Sequence, residues 1–111
     1  MANYMLSSHH AFTNYLGQSV RLVQESWVHI REKHPEISIE IIEKTISNPD
    51  FVLMSEMNPY SELYFLHKQM NGETVRFSVV VVKIREDGLW VSTAMTKKKV
   101  AGGIEIYRRE K

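Results

Sequence analysis

Hydrophobic and polar positions repeat with a helical period in the first half of the chain, which predicts two short helices. The first is expected at about residues 25–33, and the second from residue 35 or 38 to residue 47. Their apolar faces carry Trp27 and Ile30 in the first helix and Ile39, Ile42 and Ile46 in the second. Pro35 and Pro49 disfavour helical geometry in the residue before them, so each helix should end ahead of its proline.

Beyond residue 50 the period becomes about two, which is typical of strands. The expected strands cover residues 51–57, 63–68, 75–84, 89–96 and 104–107. Turns are expected at the pairs Asn71-Gly72, Asp87-Gly88 and Gly102-Gly103. Residues 75–84 are apolar on both faces, which predicts a central strand covered by helices. A weaker alternation over residues 12–23 suggests a short hairpin ahead of the helices.

The order of these elements predicts an α+β fold, in which two N-terminal helices pack on an antiparallel sheet of about four strands. The 111 residues suit one domain with one hydrophobic core. We assign residues 1–11 to a flexible leader and residues 12–111 to the domain.

Composition narrows the kind of protein. The chain has no cysteine, which excludes disulfides, a thiolate nucleophile and a cysteine-based zinc site. Its start lacks the features of a signal peptide, and its longest apolar run is far too short to span a bilayer, so we expect a cytoplasmic protein. Net charge is only +1, but residues 97–111 contain six basic and two acidic residues. This basic C-terminal edge can attract phosphates or simply keep the protein soluble.

Two histidines near the end of the first predicted helix are candidate acid–base groups. Histidine titrates near neutral pH and serves as a general acid or base without an extreme environment. His29 and His34 are five positions apart, so they do not share one helix face unless the chain turns at Pro35. The alternatives are a solvated helix residue for His29 and a capping or core-edge histidine for His34.

Three further positions in the second half are candidate ligands for a phosphate or a base. Thr93 is expected mid-strand, in phase with Leu89, Val91 and Met95, where a hydroxyl can bond a phosphate oxygen or serve only packing. The lysines Lys97, Lys98 and Lys99 can stabilise a developing negative charge or protect a strand edge from aggregation. Tyr107 can contact a base or phosphate, or pack at the end of a strand.

Several of these short motifs occur together in one order. They are residues 29–36 (HIREKHPE), 47–50 (SNPD), the strand at 79–83, 91–94 (VSTA), the three lysines, and 102–107 (GGIEIY). This ordered set resembles the phage-type branch of the barnase–EndoU–colicin–RelE (BECR) nuclease group over about residues 18–107. The resemblance implies one or two helices on a four-stranded antiparallel sheet.

The resemblance also implies metal-independent cleavage of RNA, without a cofactor, by attack of the 2′-hydroxyl on the adjacent phosphorus. By position, His29 or His34 would be the acid or base, and Arg31 would orient the phosphate. Thr93 would bond a non-bridging oxygen or place a histidine, and a lysine of 97–99 would add positive charge. The implied partners are RNA, either tRNA or mRNA, and a protein inhibitor. The alternatives are a non-catalytic module that binds RNA or protein through the basic C-terminal edge, and an interaction protein that docks through a strand edge.

Overall fold

A seven-stranded mixed sheet and two helices make up the structure, a computed structural model that describes residues 10–68 and 76–110. In chain order the elements are β1 (His10–Thr13), β2 (Ser19–Leu22), α1 (Gln24–Lys33), α2 (Ile39–Ser47), β3 (Phe51–Ser55), β4 (Ser61–Lys68), β5 (Arg76–Arg85), β6 (Gly88–Lys97) and β7 (Gly103–Arg108). The predicted Asn71-Gly72 turn lies outside the described residues. We assigned His10 and Ala11 to the leader from the sequence, but both residues lie in β1.

Both helices end where the sequence predicts, at Lys33 and Ser47, and they begin within one residue of the predicted starts at 25 and 38. The alternative start of the second helix at residue 35 is wrong. Val23 precedes α1 in an extended conformation, and His34 caps its C-terminal end by donating its backbone N–H to the Ile30 carbonyl. Pro35 follows directly, so the helix cannot continue. Ser38 caps α2, because its side-chain oxygen accepts a hydrogen bond of 3.2 Å from the Ile41 backbone N–H.

The strands run in the order β1-β2-β6-β5-β4-β3-β7. From β3 to β6 the chain forms a continuous antiparallel meander. β1 and β2 form the predicted hairpin, and β2 pairs in parallel with the start of β6. β7 returns to the far side of the sheet and pairs antiparallel with β3.

Both helices lie on one face of the sheet. α1 packs against β6, and α2 packs against β5, β4 and β1. The main core forms between the two helices and the sheet. Its most buried members include Ile30, Ile42, Tyr64, Val80 and Val82. Trp27 fixes the outer part of α1 to this core.

The opposite face has a smaller apolar cluster and no helix among the described residues. Leu53, Phe65 and Val79 are buried in this cluster, and Val100 packs against it from the β6–β7 connection. β5 is therefore central and apolar on both faces, as predicted, but the helices of the described ranges cover only one of those faces.

The predicted architecture of two N-terminal helices on a four-stranded antiparallel sheet is wrong. About half of the described residues are in strands and about a fifth are in helices, and the sheet has seven strands of mixed direction. The hairpin ahead of the helices joins the sheet through a parallel pairing with β6, and β7 adds a strand at the other side. Both pairings join segments distant in sequence, which local periodicity does not reveal.

Candidate active site

A cleft of about 420 Å³ opens between the start of α1 and the adjoining ends of β5 and β6. The helix side is lined by Val23, Glu25, Ser26 and His29. The sheet side is lined by Lys83, Arg85, Trp90, Val91 and Ser92. The cleft therefore contains a carboxyl group, an imidazole, two basic side chains and two hydroxyls.

Helical spacing brings the acid–base groups of the cleft together. Glu25 and His29 are four positions apart on α1, so they lie on one face, one turn apart. Ser26 lies beside them on the same side. Trp27 and Ile30 on the next face are buried and fix the rotation of the helix, which leaves Glu25 and His29 exposed to solvent.

The cations come from the last part of β5. Val82 is fully buried in the core under the helices, so strand alternation directs Lys83 and Arg85 to the other face. Lys83 pairs with Trp90 across the antiparallel β5–β6 ladder. The Arg21 guanidinium lies 5.1 Å above the Trp90 ring, and the Trp90 Nε1 donates to Asp87 at 2.9 Å. These contacts hold Trp90 as one wall of the cleft.

A β-bulge changes which residues of β6 face the cleft. Val82 pairs with Val91 but Val81 pairs with Thr93, so Ser92 is an extra residue in β6. The prediction that Thr93 shares a face with Leu89 and Val91 is therefore wrong, because the bulge reverses the alternation between them. Ser92 and Val91 line the cleft. The Thr93 Oγ1 is buried and has no hydrogen-bond partner in the described part of the chain.

His34 lies at the other end of α1, outside the cleft. Its Nδ1 is 3.9 Å from Oε2 of Glu36, and the same oxygen accepts a hydrogen bond of 3.1 Å from the Thr96 hydroxyl. The exposed lysines Lys97, Lys98 and Lys99 follow Thr96 directly. The structure therefore places His34 near the lysines, and His29 with a separate pair of cations.

Arg31 and Tyr107 have structural contacts of their own. The Arg31 Nη1 donates to the carbonyl oxygens of Pro35 and Ile37, both at 2.8 Å, and its guanidinium lies 5.6 Å from the Trp27 ring. These bonds fasten the turn between the helices. Tyr107 is on β7, four strands away from β6, and its ring lies 4.3 Å from the Tyr15 ring. Neither residue lines the cleft.

Titratable side chains also meet under α2, away from the cleft. The Asn14 amide donates to the Tyr64 hydroxyl at 3.1 Å, and that hydroxyl donates to Glu62 at 3.3 Å. Burial raises the pKa of the Tyr64 hydroxyl. The hydrogen bond from Asn14 lowers this pKa, and the nearby Glu62 charge raises it further. Burial likewise raises the pKa of Glu62, although the hydrogen bond from Tyr64 opposes it. Burial and the Glu62 charge also raise the pKa of Tyr15.

Sequence reasoning found His29 but missed the side chains that accompany it. Glu25 was within reach, because its four-residue spacing from His29 is a helical signal. Lys83 and Arg85 carried a weaker signal, as two cations that alternate at the end of an otherwise apolar strand. Ser92 had none, since a bulge depends on pairing with another strand.

The cleft is lined by the residue types that cleavage of a phosphodiester uses. A carboxylate and an imidazole provide one base and one acid, and two cations can neutralise charge that builds on phosphate oxygens. Among residues 10–68 and 76–110, no three His, Asp or Glu side chains are grouped closely enough to hold a metal ion.

We found no family model, curated protein or solved structure that matches this chain. Within the described ranges, neither helix is long and apolar enough to cross a membrane.

Proposed function

We propose that this protein is a metal-independent RNA endonuclease whose active site is the cleft between α1, β5 and β6. The observation that carries the proposal is the grouping of Glu25 and His29 with Lys83 and Arg85 around one opening. His29 also belongs to the ordered motifs that resemble the BECR nuclease group. We further propose that the substrate is cytoplasmic tRNA or mRNA.

In the proposed reaction the 2′-hydroxyl of one nucleotide attacks the phosphorus that follows it. Either Glu25 or His29 removes the hydroxyl proton, and the other protonates the leaving 5′-oxygen. A new bond forms between the 2′-oxygen and phosphorus while the bond to the 5′-oxygen breaks, so the products carry a 2′,3′-cyclic phosphate and a 5′-hydroxyl. Lys83 and Arg85 stabilise the extra negative charge of the phosphorane.

A non-catalytic RNA-binding module is the second candidate. It is favoured by the contacts of Arg31, which the resemblance assigns to the phosphate but which bonds two backbone carbonyls. It is also favoured by the position of Thr93, whose hydroxyl does not line the cleft. Under this alternative the exposed lysines of residues 97–99 would hold RNA that stays intact.

The test is cleavage of RNA by the purified protein in EDTA. We expect cyclic-phosphate ends from the wild type, and a rate about 10² to 10⁴ times lower for His29→Ala, because an acid–base group contributes that much. Glu25→Gln and Lys83→Gln should also lose rate. His10→Ala, at a histidine that does not line the cleft, is the matched control and should cleave like the wild type.

The same RNA with 2′-O-methyl groups should resist the enzyme, since its 2′-oxygen has no proton to lose. Cleavage of this RNA, loss of activity in EDTA, or full activity of His29→Ala would each contradict the proposal. An intact RNA that the wild type binds with steep salt dependence would favour the non-catalytic alternative.

A further inference from the structure

A second cleft, of about 850 Å³, lies on the sheet face that carries no described helix. Aromatic side chains from three neighbouring strands line it: Phe51 of β3, His67 of β4 and Phe77 of β5. The charged groups around it are Asp50, Arg108, Arg109 and Glu110. It is therefore an aromatic cleft with both arginines of the C-terminal segment at its rim.

The aromatic rings are held in edge-to-face contacts. The Phe77 ring centre lies 5.7 Å from that of His67 and 6.4 Å from that of Phe51, with the ring planes inclined at 79° and 67°. Phe65 supports Phe77 from below, at 6.2 Å and 81°. Phe51 and Phe77 are half-buried and His67 is exposed, so part of this aromatic surface is open to a flat ligand.

Of the two arginines at the rim of the aromatic cleft, Arg108 is the one that can bind a phosphate. The Asp50 carboxylate accepts from the His67 backbone N–H at 2.7 Å and also pairs with Arg109, so its charge is compensated. The Arg108 guanidinium lies 5.3 Å from the Phe51 ring, and its partner, Glu105, faces it in a solvent-exposed pair. Arg108 donates three hydrogen bonds to the two carboxylate oxygens of Glu105. Because this pair is exposed to solvent, a phosphate can compete with Glu105 for the guanidinium.

One residue from each cleft lies on the same face of β5. Phe77 and Lys83 are six positions apart on β5 and have the same parity, so they point to the same side at a separation of roughly 20 Å. A single strand of nucleic acid has bases free to stack on aromatic rings, whereas a duplex hides them. A strand whose phosphate occupies the first cleft can therefore place a nearby base in the second.

We propose that the aromatic cleft binds an unpaired base of single-stranded RNA, stacked on the face of Phe77 with the Phe51 ring against its edge, and with Arg108 on the adjoining phosphate. This inference rests on the proposed function for the identity of its ligand, and it adds that the substrate is unpaired on one side of the cleavage site. Arg109 stays paired with Asp50 and holds the C-terminal segment in place.

The test is binding of a fluorescein-labelled 2′-O-methyl RNA of about eight nucleotides, measured by anisotropy, since single-strand sites span about 4–16 nucleotides. Phe77→Leu keeps apolar volume but removes the stacking surface, and we expect affinity to fall roughly five- to tenfold. Phe77→Tyr keeps the ring and should bind like the wild type, which separates stacking from folding. Arg108→Gln should weaken binding and lower the salt dependence. An abasic strand of equal length should bind weakly and equally to the wild type and to Phe77→Leu.

The outcomes distinguish this inference from the proposed function. Cleavage by the wild type, with Phe77→Leu binding RNA as tightly as the wild type, would overturn the aromatic site and leave the nuclease intact. Intact RNA whose binding depends on the Phe77 ring would overturn the nuclease and support the aromatic site. Equal binding of a duplex and a single strand, or no preference for bases over the abasic strand, would overturn the stacking proposal.

Discussion

The Thr96 hydroxyl on β6 donates a hydrogen bond of 3.1 Å to Glu36, in the segment between the two helices. The accepting oxygen is also 3.9 Å from Nδ1 of His34, so Glu36 links the end of α1 to the sheet. The Glu36 side chain is exposed and that of His34 is about one-third exposed, which suits an anchoring contact in solvent. We therefore assign this group an anchoring role, and the proposed acid–base chemistry stays with His29.

His34→Ala tests that division. We expect it to change the cleavage rate by less than about threefold and the free energy of unfolding by less than about 1 kcal/mol, because the pair it removes is exposed. His29→Ala, measured beside it with the same RNA, is the comparison. If His34→Ala abolishes cleavage while its unfolding curve matches the wild type, the active site lies at the Glu36 end of α1.

Arg31→Ala is expected to destabilise the fold. The change removes two hydrogen bonds from a charged guanidinium to backbone carbonyls. The free energy of unfolding, measured in urea, should therefore fall by about 1–3 kcal/mol. Arg31→Lys should recover only part of this, since one ammonium cannot reproduce the planar donor geometry. RNA affinity at a temperature where both variants are folded should stay near the wild-type value. A large loss of affinity without a loss of stability would instead give Arg31 the phosphate-binding role.

Glu62→Gln is expected to make stability less dependent on pH. Burial raises the pKa of Glu62 in the folded state, so the folded protein holds this proton more tightly than the unfolded chain does. The stabilisation that Glu62 contributes is fully present at pH values below its pKa in the unfolded chain. It is lost as the pH rises through its pKa in the folded protein. At neutral pH the variant should be more stable by less than about 1 kcal/mol, because solvent screens a half-exposed carboxyl.

Unfolding curves at pH 7 and pH 4 measure this effect. Glu62→Gln should have a higher free energy of unfolding than the wild type at pH 7. The two proteins should have the same free energy of unfolding near pH 4. Glu56→Gln, at an exposed carboxylate after β3, is the control for adding an amide. A variant that is less stable than the wild type at pH 7 would show that the hydrogen bond from Tyr64 outweighs the cost of burying the charge.

Local sequence signals predicted the elements of this fold well. Pro35 set the end of α1, Ser38 capped α2, and the alternation from residue 51 onward located the strands of the meander. These signals operate within one element, where period and flanking residues decide the conformation. The arrangement of the sheet was not predictable in the same way, because the pairings of β2 with β6 and of β3 with β7 depend on contacts between distant segments.

The candidate site shows the same limit. His29 was identified from its own chemistry, but its position with Lys83 and Arg85 depends on how α1 packs beside β6. The extra residue at Ser92 changed the face of Thr93, and nothing in the local pattern of residues 88–97 marks that bulge. The sequence motifs indicate which side chains can take part in chemistry. Which of those side chains lie close together depends on the packing of the helices and strands.

Gly103→Ala tests whether the β3–β7 pairing supports the aromatic cleft. A Cβ at position 103 would overlap the backbone carbonyl of Met54, so β7 must move away from β3 at its first residue. Forcing extra volume into a packed site costs about 1–3 kcal/mol, and we expect the unfolding midpoint to fall accordingly. Ala101→Ser, at an exposed position in the same connection, is the control and should match the wild type. Since β7 ends at Arg108, Gly103→Ala should also weaken binding of the 2′-O-methyl strand, and it should leave the chemistry proposed for the cleft beside α1 unchanged. A stable variant with unchanged RNA affinity would show that the start of β7 can shift without moving the arginine at its end.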